Sequence, residues 1–136
     1  MNEGWLDDQH FILFTEAEAE GATINYSFGT LLPGFSVIGL RGWDDFLLKR
    51  ADGSFFAVPV VPIDAEHLAP TEVPDAAAQL EFDERFAGKI KWYVKPLVFG
   101  GDAQSQDNVL WVTHEQHHQL VAYWNKLYRD VKGTSA

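Results

Sequence analysis

The chain contains no cysteine. Disulfides and thiol chemistry are thereby excluded, and the composition fits a reducing cytoplasm. No apolar run approaches the roughly 20 residues needed to span a bilayer, and Met1-Asn2-Glu3-Gly4 lacks the basic start of a secretory signal. A soluble cytoplasmic protein is expected. Positive charge is scarce, with 10 Lys and Arg against 20 Asp and Glu and a net charge of -10. Residues 1–40 hold Glu3, Asp7, Asp8, Glu16, Glu18 and Glu20 but no Lys or Arg, and a second acidic stretch runs from Asp64 through Glu66, Glu72, Asp75, Glu81, Asp83 and Glu84. Such a surface repels nucleic acid and anionic membranes and attracts a basic protein. The same charge also serves plain solubility. Nucleotide-binding loops are missing as well: Gly100-Gly101-Asp102 lacks the lysine and helix start of a phosphate cradle. No serine sits in a nucleophile-elbow pattern, and there is no internal repeat.

Apolar residues are plentiful. They make up 46% of the 136 residues, with five Trp and ten Phe, which predicts one globular domain over residues 1–136 with a sizeable core. His10 to Thr15 reads as a buried strand and Glu16 to Gly21 as an exposed turn or short helix, after which Ile24, Tyr26 and Phe28 alternate with polar residues as a half-buried strand does. Phe35 to Leu40, Trp43 to Arg50 and Phe55 to Val61 predict an antiparallel meander. Asp52-Gly53 turns between the last two, and Pro59 and Pro62 mark an edge or an early end. Ile63 to Gly88 reads as a long, partly ordered excursion with a helical candidate at Asp75 to Leu80. In Lys89 to Lys95 lysine alternates with apolar residues, one face buried and the other cationic, and Val109 to Val112 is a final strand. From Thr113 to Lys132, Leu120, Val121, Trp124, Leu127, Tyr128 and Val131 recur at helical spacing up to Gly133. The expected fold is α+β: a twisted antiparallel sheet of about five or six strands with one C-terminal amphipathic helix packed on one face.

The start of that helix spells His114-Glu115-Gln116-His117-His118. In H-E-x-x-H, two histidines one turn apart bind zinc and the glutamate acts as general base, so a small zinc hydrolase with ligands His114 and His118 and base Glu115 is one reading. Catalysis would also need a third ligand from upstream, such as His10 or His67. The same letters arise in another way. Thr113 and Gln116 form a capping box, His117 falls in the middle of the apolar stripe, and Glu115 points toward water. On this reading the chain has no catalytic residue, metal or cofactor.

Adjacent acids such as Asp7-Asp8, Asp44-Asp45 and Asp83-Glu84 face opposite ways on a strand and seldom converge on one atom. Beside an aromatic they suit binding: Trp43 next to Asp44 and Asp45 is a candidate anchor for a basic partner, with Glu81, Asp83 and Glu84 as a second acidic contact. Trp43 packed as core is the competing reading. The segment Gly39-Leu40-Arg41-Gly42-Trp43-Asp44-Asp45-Phe46-Leu47-Leu48, followed by Asp52-Gly53-Ser54-Phe55-Phe56-Ala57-Val58, resembles the central meander of the SUKH superfamily, over about a quarter of the chain. That family comprises bacterial immunity domains that neutralise secreted toxins. The resemblance implies an α+β fold and protein binding without catalytic residues, the toxin or effector being basic in many cases. A structural subunit of a phage or secretion particle is a further expectation.

Overall fold

The computed structural model describes residues 1–75 and 79–133. The described residues form two antiparallel sheets and three α-helices. Strands β1 (Asn2–Leu6), β2 (Gln9–Leu13), β3 (Phe35–Arg41), β4 (Asp45–Arg50), β5 (Phe55–Pro59) and β6 (Ala69–Pro70) lie side by side in sequence order. Helices α1 (Glu16–Asn25) and α2 (Phe28–Leu31) fill the connection from β2 to β3. Among the described residues, strands β7 (Ile90–Tyr93) and β8 (Val109–Val112) pair only with each other, and α3 (His114–Gly133) follows. The expected α+β class, antiparallel sheet and C-terminal helix are all present. Among the described residues no helix is long and apolar enough to cross a membrane.

The meander over residues 35–59 has the predicted order. Its β4–β5 turn closes because Gly53 takes φ 89° and Asp52 accepts hydrogen bonds from Ser54 N and Arg50 Nη2, each at 2.9 Å. At the other end Gly42 and Trp43 both adopt left-handed backbone, φ 58° and 62°, so β4 begins at Asp45 rather than at Trp43. β5 ends at Pro59, as the prolines predicted, and the two residues of β6 cover part of its outer edge.

The strand expected at Ile24 to Phe28 is wrong. Thr15 caps α1 through a reciprocal box, Thr15 N donating to Glu18 Oε1 at 2.8 Å and Glu18 N to Thr15 Oγ1 at 3.2 Å. The alanines behind this cap extend one helix through Asn25. Tyr26 and Phe28 are buried while Ile24 stays exposed, so the period-two pattern came from a helix end followed by a turn. α1 is pinned to β3 by Thr23, whose hydroxyl donates to Ala19 O and accepts from Val37 N at 2.9 Å. Strand β1 was not expected. Its outer edge is held by Glu81, which exchanges two backbone hydrogen bonds of 2.8 Å with Trp5. Half of the helical candidate at Asp75 to Leu80, residues 76–78, lies outside the described residues.

One core runs from Ile12, Leu40, Phe46 and Leu48 of the main sheet through Tyr26 and Phe28 to Ile90, Trp92, Val112 and Val121. α3 adds a polar clamp. Buried Asn125 accepts from Ile63 N at 2.7 Å and donates to Val60 O and Val121 O, each at 2.8 Å, fixing the chain after β5 against the helix.

Gly39, at the irregularity in β3, has no room for a side chain, because a Cβ there runs into the backbone of Ile12 and Leu13. Gly39→Ala is expected to cost about 1–3 kcal/mol. A urea midpoint unchanged from wild type would refute this close approach of β2 and β3.

Candidate functional site

The sequence-predicted residues fall around one aromatic cluster. Trp43 projects from the strained turn between β3 and β4 and stacks on His10, with ring centroids 4.5 Å apart and planes at 14°. Trp5, Phe86 and Trp111 pack edge-on or tilted against it at 5.9, 5.4 and 5.1 Å. A left-handed conformation at a bulky residue costs of order 1–3 kcal/mol, and this packing holds it. Trp43 is 8% exposed and therefore belongs to the interior. The aromatic surface offered to solvent belongs to Trp111, 38% exposed on β8 directly above it.

The two acidic groups have different surroundings. Asp83 accepts from Trp5 Nε1 at 3.2 Å and takes two contacts from Arg85, Nε at 3.0 Å and Nη2 at 2.7 Å. The Arg85 guanidinium holds this carboxyl well below the usual range. Glu81 contributes its backbone to β1, and its side chain, like that of Glu84, is exposed. Asp44 and Asp45 instead line a pocket of about 350 Å³ between the end of β5 and the edge of β7. Its walls are apolar: Pro59 to Pro62 on one side, Trp92 and Pro96 to Val98 on the other, with His67 at the rim. Leu97 and Val98 each remain 45% exposed.

The polar corner of the pocket joins the two sheets. Lys91 Nζ donates to Asp44 Oδ2 and to Tyr93 Oη, both at 3.1 Å, and Tyr93 Oη lies 3.5 Å from the same carboxylate oxygen. Burial pushes the Asp44 carboxyl up, with Lys91 acting against it and Asp45 adding repulsion. Burial alone would lower Lys91, but the Tyr93 hydroxyl and the Asp44 carboxylate prevail and its ammonium is raised. Asp45 is tied to Arg41 at 3.1 Å, and Arg41 in turn donates to Thr71 Oγ1 at 2.7 Å. Lys91, Tyr93 and Trp111 were not singled out from sequence, and His67 was named only as a possible zinc ligand. The phase of the Lys89 to Lys95 alternation, which puts Lys91 and Tyr93 on the face opposite Trp92, was the available signal.

The H-E-x-x-H letters sit on α3 as the capping reading requires. Thr113 N donates to Gln116 Oε1 at 2.9 Å, Gln116 N to Thr113 Oγ1 at 3.1 Å, and Glu115 is exposed. His117 is fully buried, its Nδ1 2.6 Å from Tyr26 Oη and its ring edge-on to Trp92 and Phe46. Burial pushes the Tyr26 hydroxyl upward and keeps its proton; with that hydroxyl donating to Nδ1, the proton of the neutral imidazole lies on Nε2, which has no partner among the described residues. Burial, then His114 and His118, lowers His117 to about 3. His118 rests edge-on against the Tyr26 ring at 4.5 Å. Among the described residues no group of three His, Cys, Asp or Glu side chains is placed to hold a metal ion. Compared with known proteins, the chain matches no protein-family model, no curated protein and no solved structure.

Two outcomes follow. Trp43→Ala is expected to cost about 3–5 kcal/mol and Trp111→Ala markedly less, judged by denaturant melts; equal losses would contradict the assignment of Trp43 to the interior. Because His117 has a folded pKa near 3 against 6.5 unfolded, its contribution is complete above about pH 6.5 and is lost as pH falls toward 3, by up to about 1.4 kcal/mol per unit. His117→Gln keeps an acceptor for Tyr26 and does not titrate. Its stability should therefore fall less steeply than wild type between pH 6.5 and 4, and parallel curves would refute the neutral buried imidazole.

Proposed function

We propose that this chain is a non-enzymatic protein-binding module that occludes a basic partner, as the resemblance to immunity domains implies for a toxin or effector. One observation carries the reading: an apolar pocket with exposed Leu97 and Val98 at its lip and Asp44 and Asp45 at its polar end, on a protein of net charge -10. Exposed apolar groups rimmed by polar ones suit association, and the acids supply steering and register. Trp111 and Phe86, beside Asp83 and Glu84, extend the same character along the face that carries Trp43. Cytoplasmic action against a secreted protein, without catalysis, cofactor or metal, completes the proposal.

The test is binding kinetics against the products of flanking genes, basic ones first. Replacing Asp44 and Asp45 together by asparagine should slow association and flatten its salt dependence, since exposed charges act over about 8 Å at physiological salt, while a melting curve controls for folding. Association unchanged by both substitutions would remove this pocket from the interface. Stoichiometric zinc in the purified protein, lost in His118→Ala together with a hydrolytic activity, would overturn the module reading in favour of the metal enzyme.

A further inference from the structure

The pocket is lined by three consecutive residues of one strand, Lys91, Trp92 and Tyr93. Consecutive strand residues point to opposite faces, so a cavity that meets all three lies along the strand's edge. The hydrogen-bond phase of the hairpin agrees. Val94 N donates to Asn108 O at 2.8 Å, and the register pairs Trp92 with Leu110 and Ile90 with Val112. In an antiparallel pair bonded and non-bonded positions alternate. Residues 90, 92 and 94 therefore turn their backbone groups toward β8, while the N–H and C=O of Lys91 and Tyr93 project from the other edge, into the pocket. Among the described residues no strand pairs with that edge.

We infer that this slot receives an extended segment of the partner, added as a third strand on β7, with basic and apolar side chains in alternation. The inference rests on the reading of the chain as a binder of a basic protein and specifies how it binds. Backbone pairing on Lys91 and Tyr93 supplies the attachment. The two faces of the added strand then meet different chemistry. On the face shared with Lys91 and Tyr93 stand Asp44 and Asp45, and Asp44 Oδ1 makes no hydrogen bond among the described residues. That free oxygen, on a side chain 44% exposed, is open to an arginine head group. Pro62, Pro96, Leu97 and Val98 make up an apolar part of the lining, which suits an aliphatic side chain. The opposite wall is rigid because Asn125 ties Val60 and Ile63 to α3. β7 itself lacks the protective devices of an exposed edge at these positions: Lys91 is drawn in by Asp44 instead of standing free, and neither position is proline.

The probe is an acetylated, amidated pentapeptide alternating valine and arginine, titrated into isotopically labelled whole protein. The Lys91 and Tyr93 amides should shift and their hydrogen exchange should slow about tenfold or more. Two N-methylated versions decide the mode. Methylation of the amides on one alternate set should weaken binding at least about tenfold, and methylation of the other set should be tolerated, because only one set faces β7. Replacing arginine by glutamate should also abolish the shifts. Equal tolerance of both methylated series, shifts confined to another surface, or no response at Lys91 and Tyr93 would overturn the slot. The first two of these leave a basic partner bound by side chains or elsewhere, whereas failure of every basic flanking-gene product to bind the full chain speaks against the basic-partner reading itself.

Discussion

A two-stranded sheet cannot stabilise itself in water, and the rest of this structure follows from how β7 and β8 are held. One face of the hairpin gives Ile90, Trp92 and Val112 to the core beneath α3, where Trp92 meets His117 edge-on. The other face sets Trp111 on Trp43 and Phe86, and joins Lys91 to Asp44 of the main sheet. Because the hairpin is docked by its faces, its edges are spared from pairing. The edge of β7 therefore runs beside the end of β5 without bonding to it, and the space between them is the pocket.

The far wall of that pocket needs its own support, since a chain leaving a strand after proline has lost its ladder partners. Asn125 supplies them. A buried amide satisfied at three points costs little and fixes geometry, whereas an unpaired one would be expensive. The helix that carries Asn125 also carries His117, so a single element positions both the hairpin and the wall opposite it. Rigid walls favour binding of a segment that supplies its own order, because little freedom remains to be lost on the receiving side.

The parts legible in the sequence were those governed by local chemistry. Asp52-Gly53 announced its turn, Pro59 its strand end, and Thr113 with Gln116 the start of α3, because each acts through its own backbone. The helix through Asn25 was misread because Ile24, Tyr26 and Phe28 alternate only by accident. The capping box at Thr15 and Glu18 was a stronger signal than the alternation, since it satisfies two backbone donors that a strand would not leave open. Pairing of β7 with β8 alone, the Glu81 bridge to β1 and the convergence of Asp44 with Lys91 link residues far apart in the chain, and no local pattern encodes them. Of the predicted site, Asp44 and Asp45 reached a cavity and Trp43 went inside, while Trp111, not among the predicted residues, holds the more exposed position against it.

The H-E-x-x-H letters fall on a helix start whose capping and packing favour the same residue types. A helix start facing a core requires polar residues in its first turn and an apolar or neutral one where the stripe begins. Histidine at 117 satisfies the second requirement because Tyr26 donates to Nδ1 and burial removes the ring's charge. His118, one position on, finds the ring of the same tyrosine, and Glu115 is left to solvent at the positive end of the helix dipole, where a carboxylate is favoured. Glu115, Gln116, His117 and His118 are each accounted for by capping, packing or the dipole, while His114 Nε2 is buried without a hydrogen-bond partner among the described residues. A zinc ion bound by His114 and His118 would need a further ligand brought to the same point, and the fold spends its upstream histidines elsewhere: His10 lies under Trp43 and His67 lines the pocket rim.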